Sequence, residues 1–258
     1  MAFSVDEITA LTRALSEERI AYWKVLAGHD NLAGWRARIG CRVPVSSEFA
    51  ILLHEWNAAL SFCFLASLQI LEISLRNHMN DALSAHFGSS TWWGVEENGR
   101  WRPSGRVRGQ QANDIAGAIS VAARRTKGIT PGGVISELSF GFWLALIGPA
   151  YDNPADKDLA FWRLCLHSIF RGSSGVNRKQ VHQHLEQLIR LRNRCAHHEP
   201  IVHLPIPTEY GELVRFTRLF CHTTADWIER TSLVPHLLRQ DWLNVIKTGG
   251  RLIGSANI

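Results

Sequence analysis

The chain is poor in lysine: of its 28 basic residues only Lys24, Lys127, Lys157, Lys179 and Lys247 are lysines. The remainder are arginines, whose planar fork suits bidentate phosphate contact better than an ammonium does. High genomic GC content produces the same bias. Cysteines are few and unpaired in sequence. Cys41, Cys63, Cys165, Cys195 and Cys221 form no C-x-x-C pair, and their odd number argues for reduced core thiols in a cytoplasmic protein, not a disulfide framework. No uninterrupted apolar run reaches the 18 or so residues that span a bilayer; the longest, Ala58 to Leu75, is broken by Ser61, Ser67, Gln69, Glu72 and Ser74. The start, Met1-Ala2-Phe3-Ser4-Val5-Asp6-Glu7, lacks the basic-then-apolar order of a secretory signal. Walker loops, dinucleotide fingerprints, G-x-S-x-G elbows, internal repeats and low-complexity tracts are also missing.

What is present is a globular composition. Hydrophobic residues make up 46% of 258 positions, and ten tryptophans and eleven phenylalanines argue against disorder. The net charge of +5 is modest. Apolar spacing is helical almost throughout, with little period-2 alternation, so the expected class is all-α. Ser4 caps a helix to about Leu15, and Ser16 opens a second with Ile20, Trp23 and Leu26 inward. Gly28 to Pro44 is a weak boundary. Ser46 or Ser47 starts a long stretch to Phe87, closed by Gly88, in which a kink or break is expected. Gly88 to Arg108 reads as a loop, Gln110 to Arg125 as a helix with a basic end. Thr130-Pro131 starts a helix holding Ile135, Leu138, Phe142 and Leu146. Further helices are expected over Pro154–Phe170, Val176–Cys195, Tyr210–Glu229 and Val234–Val245, with a break at Gly172–Gly175 and an extended run from Ile201 to Pro207. One domain spans 1–258: a helical appendage at 1–45, a core at 46–230 and a tail at 231–258.

The chemistry concentrates in Leu191-Arg192-Asn193-Arg194-Cys195-Ala196-His197-His198-Glu199-Pro200. Val181, Leu185, Leu188 and Cys195 fall on one helix face, and Arg192 lands near the middle of that stripe. A guanidinium there needs a partner or a polar cavity. Glu72 falls in the apolar stripe of Leu68, Leu71, Leu75 and Met79, with Arg76 at its edge and Asn77 next, so the two helices are expected to meet. A structural ion pair and a functional site both satisfy this pattern.

Arg192-Asn193-x-x-x-His197 resembles the Arg-x4-6-His signature of HEPN domains, helical proteins many of which are ribonucleases. The ordered set Trp56-Asn57, Leu71-Glu72-Ile73-Ser74-Leu75-Arg76-Asn77, Gly88 with Trp92-Trp93, Ser136-Glu137-Leu138-Ser139-Phe140-Gly141-Phe142-Trp143 and Arg192 through His198 is similar to the Abi (abortive infection) family of that class, from about residue 16 to 230. Glu199-Pro200-Ile201 departs from the polar or aromatic stretch often found there. The resemblance implies a HEPN-like helical bundle with additional N-terminal and C-terminal helices. It implies metal-independent RNA cleavage by 2′-hydroxyl attack in phage defence, needing no cofactor. Arg192 and His197 would be catalytic, Asn193 and His198 assisting. His197 fits the shorter spacing and is preferred; His198 fits the longer. Glu72, Arg76 and Asn77 would support the cleft. The single motif implies a homodimer with a shared cleft, and a toxin implies a restraining antitoxin, protein or RNA. No membrane partner is expected.

Other groups carry two readings. Arg124, Arg125 and Lys127, with Arg102, Arg106 and Arg108, suit either a phosphate backbone or a solvated face. Trp92, Trp93 and Trp101 suit base stacking or, better, the core. Glu137 suits the cleft or a helix start. His198 and His203 are one residue too far apart for H-E-x-x-H, and Pro200 breaks the helix, so no metal site is expected. Rival readings are a non-catalytic HEPN-like module binding RNA or a nucleotide, and a structural interaction protein.

Overall fold

The computed structural model describes residues 3–33, 44–153, 158–170 and 176–239. Expectations at Gly34, Gly40, Cys41, Pro154, Gly172–Gly175 and beyond Arg239 lie outside the described residues. Among the described residues the elements are almost all helical. In chain order they are α1 (Val5–Leu15), α2 (Glu17–Ala27), α3 (Ser47–Phe87), a hairpin of β1 (Gly94–Glu97) and β2 (Arg100–Pro103), α4 (Gln110–Ala123), α5 (Pro131–Ile135), α6 (Phe140–Leu146), α7 (Phe161–Leu164), α8 (Arg178–Ala196), α9 (Ile206–Phe220), α10 (His222–Thr231) and α11 (Val234–Arg239).

Local chemistry explains most boundaries. Ser4 and Glu7 form a reciprocal capping box on α1, and the Ser46 hydroxyl accepts from the Phe49 amide to start α3. That helix runs unbroken for 41 residues, without the expected break, and Ser47–Phe87 contains neither glycine nor proline to interrupt it. It ends at Gly88, whose φ is +63°. The expected loop after it instead holds the two-stranded antiparallel hairpin. Asn98 and Gly99 join the strands with φ of +53° and +74°, a turn whose twist matches the strands and which Asn-Gly adopts readily. The helix expected from Pro131 to Leu146 is two: the Ser139 hydroxyl takes the Phe142 amide as a new cap, at 3.2 Å. Ile201–Pro207 is not the expected extended run: Val202 and His203 form a turn in which the Leu204 amide bonds the Ile201 carbonyl at 2.9 Å. Pro207 sits in the first turn of α9, where its missing N–H leaves no gap. The last long helix is interrupted at Cys221, whose sulfur accepts from the Thr224 hydroxyl.

The chain divides into two compact units, the divisions falling inside α3, α8, α9 and α10. One comprises Met1–Leu68, Arg190–Val214 and Trp227–Ile258. Ile20, Trp23, Leu53, Leu60, Phe64, Leu191, Cys195, Leu213, Ile228 and Leu237 are buried there. The other comprises Gln69–Ile189 and Arg215–Asp226. Its core is aromatic: Trp92 lies 6.5 Å from both Trp143 and Phe161, and Tyr151 stacks on Phe161 at 5.0 Å. Trp92 and Trp93 are fully buried, so the base-stacking role weighed for them is excluded, and Trp93 instead packs against Trp101.

Candidate functional site

The buried stripe of α8 is Val181, Leu185, Leu188, Leu191 and Cys195. Arg192 falls within the angular span of that stripe, as expected from its spacing, and is half-buried there, while Leu191 widens the stripe at one edge. From there an Arg192 guanidinium N–H donates to Asn193 Oδ1 at 3.4 Å. Asn193 in turn accepts the His197 amide on its backbone carbonyl at 2.9 Å. Positions 193 and 197 are four apart and share a helix face. Arg192, Asn193 and His197 therefore form one contiguous strip, with Asn193 and His197 exposed.

The helix ends in a Schellman motif. The Glu199 amide bonds the Arg194 carbonyl at 2.9 Å, and the His198 amide bonds the Cys195 carbonyl at 3.3 Å. His198 occupies the left-handed position of this motif with φ of +59°, where glycine is the usual occupant and a Cβ costs about 1 kcal/mol. Its side chain is exposed. The following turn is fixed from two sides. Asn57, buried on α3, donates to the Glu199 carbonyl at 3.2 Å and accepts the Ile201 amide at 2.7 Å. Arg194 donates to the Pro200 carbonyl at 3.3 Å and approaches the Glu199 carboxylate at 4.0 Å. Arg194 also lies 3.4 Å from His203 Nε2. Arginine has no acceptor, so this nitrogen accepts and the ring is neutral. Burial, aided by Arg194 and His29, holds its pKa below the ordinary 6.5.

One residue here was not singled out in the sequence. His54 lies one turn before Asn57 on α3, and its half-buried ring meets the Trp23 indole edge-on at 5.4 Å. Burial, then the charges of Arg19 and His198, lower its pKa below 6.5. The available signal was the pair His54 and Asn57, three apart on the apolar-rich face of Ala50–Leu60, with Glu55 exposed to solvent.

The remaining candidates belong to the other unit. Glu72 and Arg76 are half-buried and Asn77 is exposed; Arg76 Nε donates to Asn77 Oδ1 at 3.5 Å. Arg124, Arg125 and Lys127 are exposed. Arg125 forms an ion pair with Glu137 and donates to the Ser136 hydroxyl, which gives Glu137 a structural partner on the surface. Among the described residues no group of three His, Cys, Asp or Glu side chains is placed to hold a metal ion. Imidazoles at a helix end next to a guanidinium can exchange protons with, and bind, a phosphodiester. No family model, no curated protein and no solved structure matches the chain.

Proposed function

We propose that the chain is a metal-independent endoribonuclease of the HEPN type, similar to the Abi proteins and acting as a toxin in phage defence. One observation carries the reading: a non-glycine residue, His198, is held in the left-handed cap of a helix whose last turn also presents Arg192, Asn193 and His197. Strain of this kind persists where surrounding contacts hold it in place, here those of Asn57 and Arg194 on the turn that follows, and it clusters at functional sites. In the proposed reaction the 2′-hydroxyl of RNA attacks the adjacent phosphorus. His197 takes or delivers the proton, Arg192 offsets the charge that gathers on the phosphate, and Asn193 and His198 orient the reacting groups. Glu72, Arg76, Asn77, Arg124, Arg125 and Lys127 belong to the other unit and carry no step of this reaction. The proposal includes a cytoplasmic homodimer restrained by an antitoxin, protein or RNA.

The openness of the patch favours a second reading, a module that binds RNA without cutting it. His197 and His198 are both exposed, whereas transition-state electrostatics are strongest where water is excluded. Incubating the purified protein with total RNA, with and without EDTA, separates the two. A nuclease yields 2′,3′-cyclic phosphate ends in both conditions, and His197→Ala lowers the rate at least about a hundredfold with an unchanged melting temperature. Intact RNA that is nonetheless retained by the protein leaves only the binding module.

A further inference from the structure

A cavity of about 640 Å³ opens in the second unit between the end of α3, the hairpin and the segment after it. It is within the usual range for a small-molecule site. His86, Phe87, Arg106, Arg108 and Asp158 line it. The two arginines are presented by a short, pinned segment. Its start is fixed by the Ser104 hydroxyl, which donates to the Trp92 carbonyl at 2.8 Å. Its end is fixed by the Arg108 amide, which donates to the Tyr151 hydroxyl at 3.0 Å. Val107, buried between the arginines, anchors the middle. Tyr151 is itself stacked on Phe161, so the anchor belongs to the aromatic core.

Arg106 is held in place as well. Its guanidinium lies 4.5 Å from the centroid of the Phe87 ring and gives one N–H to the Trp92 carbonyl at 3.3 Å. A guanidinium has five N–H donors, and this orientation is set before any ligand arrives. The lining thus offers two arginines against one carboxylate, with apolar surface from Phe87, Val95 and Leu159. One held guanidinium, Arg106, with a second, Arg108, on a pinned backbone beside it suits a phosphate monoester. An apolar wall suits a flat ring. A single carboxylate among cations repels phosphate but accepts hydrogen bonds from sugar hydroxyls.

We infer that this cavity binds a nucleoside monophosphate group, with Arg106 and Arg108 on the phosphate and Asp158 on the ribose. The site is separate from the α8 helix end and stands whether or not RNA is cut there. Either a free nucleotide or the 5′-phosphorylated end of a strand carries this group. The test is calorimetric titration of the full chain with 5′-AMP, adenosine, inorganic phosphate and a 5′-phosphorylated oligoribonucleotide. The expected result is that 5′-AMP binds at least tenfold more tightly than adenosine. Arg108→Ala, at an exposed side chain, weakens 5′-AMP by about tenfold, the cost of one charge-assisted contact. Asp158→Asn weakens 5′-AMP relative to inorganic phosphate, whose own affinity holds or rises as the repelling charge is removed. Competition of the oligonucleotide with 5′-AMP identifies a strand end as the ligand, and binding of 5′-AMP alone identifies a free nucleotide; both support the site. Absence of 5′-AMP binding, equal affinity for adenosine, or an Arg108→Ala variant that binds like wild type overturns it. Arg106→Met is a second variant, and Arg108→Ala suffices alone if that one does not fold.

Discussion

His198 is the residue at which sequence and backbone disagree. A helix that ends in a Schellman motif gains from glycine at the left-handed position, because glycine alone pays no Cβ penalty there. His198→Gly is therefore expected to leave stability unchanged or to raise it by about 0.5–1 kcal/mol, read from the urea midpoint, while RNA cleavage falls. A drop in stability would show that the ring packs for structural reasons and would remove the argument from strain. His54 leads to a pH prediction. Its folded pKa lies below the 6.5 of the free imidazole because of burial, with Arg19 and His198 adding repulsion. Between that lowered value and 6.5 the unfolded chain binds more protons than the native one, so stability rises with pH across the window and is complete above it. His203 is shifted in the same direction. Urea midpoints are expected to fall between pH 7.5 and pH 5.5, and His54→Gln to flatten the fall without abolishing it. A slope unaltered in that variant would mean that His54 titrates alike in the folded and unfolded chain, against the burial argument.

At the scale of elements, helix starts were legible and helix interruptions were not. Ser4, Ser16, Ser46 and Thr130 announce themselves through capping hydroxyls placed before apolar periodicity. Ser139 has the same chemistry, but Leu138 and Phe142 on either side continue the helical spacing, so periodicity hid the cap between α5 and α6. Ser139→Ala is expected to cost about 1 kcal/mol, measured by chemical denaturation. A neutral outcome would assign the break to packing of Phe140 and Phe142 instead. The hairpin was missed for the opposite reason: Asn98-Gly99 is a strong turn signal, but the four-residue strands beside it are mostly exposed and show no apolar alternation. In the candidate site, Arg192, Asn193 and the histidine pair were legible because residue type and spacing carry the chemistry. Arg194, His54 and Asn57 were not, because their roles depend on which turn folds back on α3. The place of Arg192 was legible from spacing: at about 100° per residue it falls among Val181, Leu185, Leu188 and Cys195, and it is half-buried there.

For the whole molecule the decisive element is α3. By length and composition alone Ser47–Phe87 is able to cross a membrane, with an 18-residue window of mean hydropathy 1.8; this corrects the reading that no apolar stretch suffices, since scattered serines barely lower a window average. What distinguishes a core helix from a lipid-facing one is the distribution of polarity around it. Half of that window is buried inside the protein. Leu53, Leu60, Phe64 and Leu68 form the fully buried side in one unit, and Leu71, Leu75, Met79 and Leu83 in the other. The outward side mixes Phe62 and Ile73 with Glu55, Gln69 and Asn77, and a polar side chain facing lipid is costly. The expected outcome is that the full chain, expressed without detergent, stays in the supernatant after high-speed centrifugation and after a carbonate wash. Adding a charge on the outward side, Ile73→Lys, should not alter that recovery. If the wild type sediments with membranes and Ile73→Lys releases it, α3 is an anchor; its apolar outer positions would then face lipid, and a nuclease acting free in the cytoplasm would have to be given up.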